Sequence, residues 1–267
     1  MLLATLAILF SVASCTNSSV TDSASTNRNL SVYLTDAPMP GGPNMPFWLK
    51  FTAVNLDVKG IQYIGKDSIW KDASFTEAIF NVKMMANGDS ALLSKISIPS
   101  GDPVRRIRFI LGKNNSVVLN NNTEKALLIP FKSDSSIVVR VNENVPSGDY
   151  GIMLDFDLAS SIVRDFQGDY ILIPKLRGFI MECTSTIDGF VLPRKLLTKV
   201  FVVNGTDTIM TVSDTLRANY FKLSGFDKGQ YTVNFMPLDS GYVTLQKTVT
   251  VMGNHDNVPL GNVKVTR

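Results

Sequence analysis

Alternation of apolar and polar residues with a period of two is the main pattern along this chain. In residues 51–60, apolar side chains occupy every second position towards the end of the run, with asparagine, aspartate and lysine between them. Residues 105–111 and 150–157 show a similar alternation, and glycine, proline and asparagine punctuate the intervals. This pattern is typical of half-buried β-strands joined by short turns. We therefore predict many short strands and no long helix.

A second system of strand-like runs opens after residue 181. About eight to ten runs precede this point and about seven follow it, which is typical of antiparallel sandwiches or barrels. In the second part, Asn204 and Gly205 form the dipeptide that most favours a tight hairpin. The sequence therefore predicts an all-β protein with two antiparallel β-sandwich domains, at residues 30–181 and 182–267.

The first residues indicate an export signal. Residues 1–14 are apolar and end in small side chains before Cys15. As a helix they would span about 21 Å, at about 1.5 Å per residue, which is short of the roughly 30 Å of a bilayer core. The stretch instead fits a cleaved secretory signal peptide.

The tetrad Val12–Cys15 resembles a bacterial lipobox. The resemblance implies that Cys15 receives lipid, becomes the first mature residue and anchors the protein to a membrane. An ordinary signal peptide that happens to precede a cysteine is the alternative. Residues 15–29 are rich in serine, threonine and asparagine, so we expect a flexible tether with a reach of about 20 Å. With Cys15 acylated, Cys183 would have no disulfide partner, and we expect it to be a buried thiol.

Composition excludes several classes of function. The net charge is +3, both signs are dispersed, and no basic stripe with aromatic residues indicates nucleic-acid binding. His255 is the single histidine, which argues against histidine-based catalysis and multi-histidine metal sites. None of the common nucleotide, hydrolase, zinc-protease or redox motifs is present. We therefore expect no enzyme activity and no firm cofactor.

Four aspartates form the most interesting polar set. Two of them share one face of a predicted strand, so neighbouring strands could gather the carboxylates into a Ca²⁺ site. Two carboxylates at a fixed separation could also serve a glycan hydrolase, which is the least favoured interpretation. The candidate residues are Asp36, Asp57, Asp155 and Asp157.

A simpler interpretation of these aspartates needs no ligand. Asp36 would form an Asx-turn before Pro38. The two aspartates of the 150–157 strand would pair across the sheet with arginines of the 105–111 strand, as ordinary ion pairs. The arginines are Arg105, Arg106 and Arg108.

Three aromatic residues offer a second candidate site. Aromatic faces stack on sugar rings, so Phe47, Trp48 and Trp70 could form a glycan platform. The commoner role of such side chains is burial in a core.

Motifs in both halves resemble known families. The segments Val32–Pro38, Val58–Ile61, Ile110–Asn115 and Leu154–Val163 resemble the bacterial envelope domain-of-unknown-function family numbered 4382. This resemblance covers about residues 30–180 and implies an exported lipoprotein module, without implying a chemistry. The spacing of phenylalanine, glycine and tyrosine in residues 221–233 resembles prealbumin-like, carboxypeptidase-regulatory-like sandwiches, which implies a spacer or an adhesive module.

These features together predict a non-catalytic lipoprotein in the cell envelope of a Gram-negative bacterium, anchored to the outer membrane through Cys15. Its function would be that of an adhesion or accessory binding module for a glycan or a protein. The alternative is a structural spacer or an assembly subunit that pairs through sheet edges.

Overall fold

The computed structural model describes residues 27–37, 51–130, 136–141, 148–205, 207–253 and 255–267. Nearly all regular structure in these residues is β-strand. The strands form two sandwiches with separate hydrophobic cores. The predicted all-β, two-sandwich fold class is therefore confirmed.

The first sandwich is built from thirteen strands within the described ranges. A sheet in the order β13-β10-β1-β5 packs against a larger sheet in the order β11-β12-β8-β7-β2-β6-β9, in which β3 and β4 also pair with β2. The strands are β1 (Asn27–Ala37), β2 (Phe51–Ile64), β3 (Trp70–Asp72), β4 (Ala78–Asn81), β5 (Ala91–Pro99), β6 (Arg106–Leu111), β7 (Ser116–Leu119), β8 (Glu124–Leu128), β9 (Ser136–Arg140), β10 (Tyr150–Asp157), β11 (Ile162–Arg164), β12 (Tyr170–Leu172) and β13 (Leu176–Ile180).

The second sandwich has a three-stranded sheet, β17-β14-β20, and a four-stranded sheet, β16-β15-β18-β19. The hairpin predicted at Asn204 and Gly205 is present, since Asn204 pairs with Asp207 and Gly205 has a φ of 62°. The strands are β14 (Ser185–Leu192), β15 (Thr198–Asn204), β16 (Asp207–Val212), β17 (Tyr220–Phe226), β18 (Gly229–Pro237), β19 (Leu245–Val251) and β20 (Asn257–Lys264).

Helical structure is limited to single turns in the described residues. One α-helical turn, α1 (Leu158–Ser161), follows β10, and 3-10 turns occupy Val82–Met84, Met181–Cys183 and Thr215–Arg217. No helix in this part of the chain has the length and apolar character that crossing a bilayer requires.

The apolar side chains that the alternation predicts to face the core are buried in the structure. Ile152, Leu154 and Phe156 of β10 are buried, and so are Val54 and Leu56 of β2. Burying one such side chain stabilises a fold by about 1.5–3 kcal/mol. Apolar burial along alternate positions is therefore what holds each pair of sheets together.

Three strand pairs run parallel within the sandwiches: β1 with β10, β8 with β12, and β14 with β20. A parallel pair needs a long crossover connection rather than a tight turn. Between β1 and β10 that connection contains β2 to β9, all of which except β5 belong to the larger sheet. Local alternation predicts strands but carries no information on such distant partners.

The first strand begins earlier than the sequence suggests. β1 starts at Asn27, which pairs with Pro99 of β5. Residues 27–29, assigned to the tether from their polar composition, therefore belong to a sheet.

Candidate functional site

The four candidate aspartates do not form one cluster. Asp57 lies on β2 in the larger sheet, whereas Asp155 and Asp157 lie on β10 in the smaller one. Within the described ranges, no group of three or more histidine, cysteine, aspartate or glutamate side chains is placed to hold a metal ion. The geometry therefore does not support the Ca²⁺ site that the sequence suggested.

Asp57 organises the turn between β6 and β7. Its side chain is almost fully buried and forms an ion pair of 3.2 Å with Lys59. Its carboxylate accepts a hydrogen bond of 3.2 Å from the backbone amide of Asn114, and its own backbone amide donates to the side chain of Asn115 at 2.9 Å. A carboxylate held in this way has a structural role.

Asp155 pairs with Arg177, not with the arginines of the 105–111 strand. The register of β10 and β13 places Asp155 directly opposite Arg177, and the Arg177 Nη2 to Asp155 Oδ2 distance is 2.6 Å. The expected partners, Arg105, Arg106 and Arg108, were the wrong ones because β6 belongs to the opposite sheet. The next aspartate, Asp157, caps α1 by accepting a hydrogen bond from the Ser160 amide at 3.1 Å.

Asp36 differs from the other three aspartates, whose carboxylates are held by hydrogen bonds or an ion pair. It lies inside β1 rather than at a turn, is 4% exposed, and its carboxyl oxygens have no hydrogen-bond partner of regular geometry among the described residues. Burial raises the pKa of Asp36 well above its usual range, and the charges of Asp155 and Asp157 raise it further. The Leu158 backbone amide and Lys83 act in the opposite direction but do not offset the burial.

Of the three residues of the predicted aromatic platform, only Trp70 lies within the described part of the chain. Phe47 and Trp48 lie outside them. Trp70 lies on β3, half-buried, and the guanidinium of Arg108 sits 4.2 Å from the centre of one of its rings. The role of these three residues in glycan binding stays a prediction.

The two cysteines and the histidine are the remaining residues that the sequence singled out. Cys15 lies outside the described residues. Cys183 is half-buried in the turn between the sandwiches, and burial raises the pKa of its thiol. The ring Nδ1 of His255 lies 2.9 Å from the carbonyl oxygen of Met181. These contacts tie the connection between the sandwiches to the loop before β20.

A cleft between the two sandwiches gathers polar side chains from both. The cavity measures about 310 Å³, near the lower end of the range for small-molecule sites. Its walls come from β1, β10, β13 and the loop at residues 87–90 of the first sandwich, and from β14, β16, β17 and the start of β20 in the second. Residues of the connection between the sandwiches and of the loop before β20 complete the lining. Among the lining residues are Thr35, Ser90, Met153, Asp155, Arg177, Asp188, Lys222 and Asp256.

Charges of both signs line this cleft. Asp155 is neutralised by Arg177, while Asp188 accepts a hydrogen bond from the Tyr220 hydroxyl at 3.1 Å. Burial, together with that neighbouring carboxylate, raises the pKa of Tyr220 to about 12. The phenol therefore stays protonated at neutral pH. The cleft thus offers carboxylate acceptors beside the ammonium group of Lys222, which suits a ligand rich in hydrogen-bonding groups.

Asn87 joins the two sandwiches at one side of the cleft. Its side chain is 7% exposed and donates to the Val212 carbonyl at 2.9 Å. Its amide oxygen accepts from the Thr211 hydroxyl at 2.8 Å and from the Lys222 backbone amide at 3.2 Å. One side chain of the first sandwich thereby satisfies groups on both β16 and β17 of the second.

Arg177 makes a second connection. Besides Asp155, its guanidinium donates to the Ser224 carbonyl of β17 at 2.6 Å. Gly225 permits this approach, because its φ is 83° and a Cβ atom there would lie 2.8 Å from both Arg177 Nη1 and the Phe179 ring. The two connections hold both walls of the cleft in place.

Reasoning from sequence did not identify the residues of this junction. Asn87 and Gly88 indicate a turn, and the φ angles of 54° and 98° agree with one. A turn dipeptide gives no sign that its asparagine bonds to a distant domain. Only the assembled structure shows that Asn87 bonds to β16 and β17 and that Arg177 bonds to Ser224.

Several solved structures show a detectable but distant likeness to this chain. They include the Bacillus anthracis TIE protein (9% identity, 90% of this chain and 34% of that chain, TM-score 0.25). BcpA, the major pilin subunit of Bacillus cereus, gives 11% identity, 90% and 70% coverage and a TM-score of 0.24. GBS52, the minor pilin of Streptococcus agalactiae, gives 12% identity over 90% of this chain and 97% of that chain, with a TM-score of 0.25. This chain thus spans about a third of the TIE protein, and scores this low support no transfer of function.

Comparison with protein families gives a firmer result. No curated protein matches the chain. The family described as a domain of unknown function, DUF4382, matches residues 28–174, in agreement with the motifs that resemble this family. The matched segment takes in most of the first sandwich and more than half of the chain. The chain therefore belongs to the DUF4382 family.

Proposed function

We propose that this protein is a non-catalytic binding module of the cell envelope and that its ligand, a glycan or a protein segment, binds in the cleft between the sandwiches. The observation that carries the proposal is the cleft itself, with polar side chains from both sandwiches around about 310 Å³. The aspartates and the lysine among the lining residues suit hydrogen-bonded recognition of a polar ligand. The side chains of Asn87 and Arg177 hold those walls in place.

The placement of the module follows from the N-terminal sequence. We propose residues 1–14 as a lipoprotein signal peptide, Cys15 as the acylated residue and the residues up to β1 as a tether to the outer membrane of a Gram-negative cell. Stable anchoring needs more than one acyl chain, which a lipobox cysteine would provide. We also propose a domain boundary at residues 181–182, with a prealbumin-like module after it.

A variant that fills the cleft tests this proposal. Met153 lines the cavity from β10 and is half-buried, so Met153→Trp should occupy the space that a ligand needs. The matched control is Met236→Trp on β18, because Met236 is partly exposed and does not line the cleft.

The probe is an array of bacterial and host glycans and short peptides, applied to the full chain. We expect the wild-type protein and Met236→Trp to bind the same array members, and Met153→Trp to lose at least about tenfold in affinity, or about 1.4 kcal/mol. Equal binding by all three proteins would place the ligand elsewhere, and no binding by any of them would remove the proposed function.

A structural role is the second candidate. The hydrogen bonds of Asn87 fix one sandwich against the other, and a fixed orientation is what a spacer or an assembly subunit requires. A silent array together with ordered oligomers in solution would favour this role over ligand binding.

A further inference from the structure

One line of side chains crosses the outer face of the larger sheet from β3 to the edge strand β9. Trp70 lies opposite Ile64 of β2. Ile64 also lies opposite Arg106 of β6, which in turn lies opposite Arg140. Directly opposite residues share one face of a sheet, and this face is the outer one because the alternate position Ile107 is buried in the core. We call these residues the outer row: Trp70, Ile64, Arg106 and Arg140.

Arg106 and Arg140 form a like-charged pair at one end of the outer row. Both are exposed, and neither has an ion pair or a side-chain hydrogen bond within the described part of the chain. Like charges directly opposite each other destabilise a sheet. An anionic group held between the two guanidiniums would remove this repulsion.

Prevention of edge pairing explains only half of this arrangement. A charged side chain on an edge strand keeps other strands from adding to the sheet, and Arg140 lies on such a strand. Arg106 lies on β6, which has β2 on one side and β9 on the other. Its charge therefore has no such role, and it faces Arg140 at a cost to stability.

Arg108 places a third guanidinium beside the pair. It lies two positions after Arg106, on the same face of β6, and its guanidinium is 4.2 Å from the centre of a Trp70 ring. Its Nη2 donates a hydrogen bond to the side chain of Gln62, whose Nε2 donates to the Asp72 carboxylate at 2.7 Å. These contacts hold the guanidinium in one orientation, so little entropy is lost there when a ligand binds.

Positive charge prevails on this surface. The neighbouring row of the same face consists of Asp72, Gln62, Arg108 and Val138. Across the two rows, three arginines stand against one aspartate, and that aspartate already accepts a hydrogen bond from Gln62. The surface is therefore complementary to an anion.

We propose that Arg106 and Arg140 bind a carboxylate or sulfate group of an acidic polysaccharide, with a neighbouring sugar ring against Trp70. Guanidinium groups bind such oxyanions through paired hydrogen bonds. Trp70 is half-buried, so part of its side chain stays open to contact. Two strand spacings of about 4.8 Å separate Trp70 from Arg106, roughly 10 Å, which an extended chain can bridge.

The number of charges favours a sugar polymer over other polyanions. Basic surfaces that bind anionic membranes typically carry about four to eight lysines and arginines, and many nucleic-acid-binding proteins contact roughly six to ten phosphates. The three arginines of these rows fall short of both. One anionic group at the arginine pair and one ring at Trp70 suffice for a polysaccharide.

This site is additional to the cleft of the proposed function. The cleft is lined by the smaller sheet, the second sandwich and the loops beside them, whereas the outer row belongs to the larger sheet. The two sites therefore have separate tests.

The test measures binding of the full chain to oligogalacturonate and to sulfated dextran by titration calorimetry at low salt. The uncharged references are methyl-esterified oligogalacturonate and dextran. We expect at least about tenfold tighter binding of an acidic form than of its reference, and less binding as salt screens the charges. Arg106→Gln and Arg140→Gln should abolish this preference. Arg194→Gln is the matched control, because Arg194 is an exposed arginine of the second sandwich and does not line the cleft.

Arg140→Glu separates a loss of binding from a loss of fold. The introduced carboxylate would lie opposite Arg106, and opposite charges in that position stabilise a sheet. Its urea midpoint should therefore equal or exceed that of the wild type, while its affinity for the acidic oligosaccharide falls at least about tenfold.

Three results would overturn the proposal. The first is equal binding of the acidic and uncharged forms, and the second is equal affinity of Arg106→Gln and Arg194→Gln. The third is tighter binding of single-stranded DNA or of anionic lipid vesicles than of both acidic oligosaccharides. Met153→Trp fills only the cleft and should bind the acidic oligosaccharide as the wild type does, whereas a loss in this variant would assign the binding to the cleft.

Discussion

Asn87 shows how one polar side chain can determine the relation between two domains. Its buried amide bonds to Thr211, Val212 and Lys222, and its φ of 54° lies in the left-handed region that asparagine tolerates better than most residues. Both properties depend on the amide side chain. Alanine would lose the contacts and adopt the backbone angle less readily.

The first prediction is that Asn87→Ala lowers the free energy of unfolding by about 1–3 kcal/mol, because hydrogen bonds are lost and buried partners are left unsatisfied. Urea unfolding followed by tryptophan fluorescence and circular dichroism measures the change. Asn122→Ala is the matched control, since Asn122 has a φ of 62° but lies in an exposed turn. Equal losses of unfolding free energy in the two variants would show that only the backbone angle of Asn87 matters for stability, and not its hydrogen bonds.

The second residue-scale prediction concerns the buried carboxyl of Asp36. Its raised pKa means that the folded protein holds a proton which the unfolded chain releases. The contribution of Asp36 to stability is therefore fully present below the ordinary pKa of an aspartate and is lost as the pH rises through the folded-state pKa. Asp36→Asn removes the ionisable group. We expect it to stabilise the protein by about 1–2 kcal/mol near pH 8, because folding of the wild type must there either bury the charge of Asp36 or bind a proton to it.

The difference in unfolding free energy between the wild type and Asp36→Asn should shrink as the pH falls towards the ordinary pKa of an aspartate. Urea unfolding of both proteins at several pH values measures it, and Asp207→Asn, at an exposed position of β16, serves as the control. A gap between wild type and Asp36→Asn that does not change with pH would contradict the assignment.

At the scale of elements, the turn between β6 and β7 depends on the absence of a side chain at Gly112. A Cβ atom there would lie 2.1 Å from Asp57 Oδ2. The carboxylate cannot withdraw without losing its contacts to Lys59 and the Asn114 amide. Glycine is therefore required for packing at this position.

Gly112→Ala should accordingly destabilise the protein by about 2–3 kcal/mol, as expected for an overpacked site. Thermal and urea unfolding measure the loss. Gly148→Ala is the control, because a Cβ atom at Gly148 would meet nothing within 4 Å. Similar effects of the two substitutions would show that the close approach to Asp57 is relieved at little cost.

The strands and the side chains that face the core could be predicted from the sequence. Which strands lie beside each other could not. Burial of Ile152, Leu154 and Phe156 follows from local alternation. The pairing of Asp155 with Arg177 depends on β10 lying beside β13, which no local pattern encodes. For the same reason Asp57, expected near the other aspartates, lies in the opposite sheet. The cleft itself was not predicted, although the candidate residues Asp36 and Asp155 line it, because its walls come from strands distant in the chain.

At the scale of the whole molecule, two sandwiches with separate cores meet at polar contacts rather than through a shared apolar core. Such a junction can position two walls of a binding site.

Display at a membrane surface decides where the proposed binding module acts, because attachment would hold the cleft at the cell envelope. Intact-mass measurement of the protein extracted from membranes, beside a Cys15→Ala variant, tests it most directly. We predict a chain that begins at Cys15 and carries the added mass of acyl chains, and a variant without them. An unmodified, soluble wild-type protein would contradict lipid-anchored display.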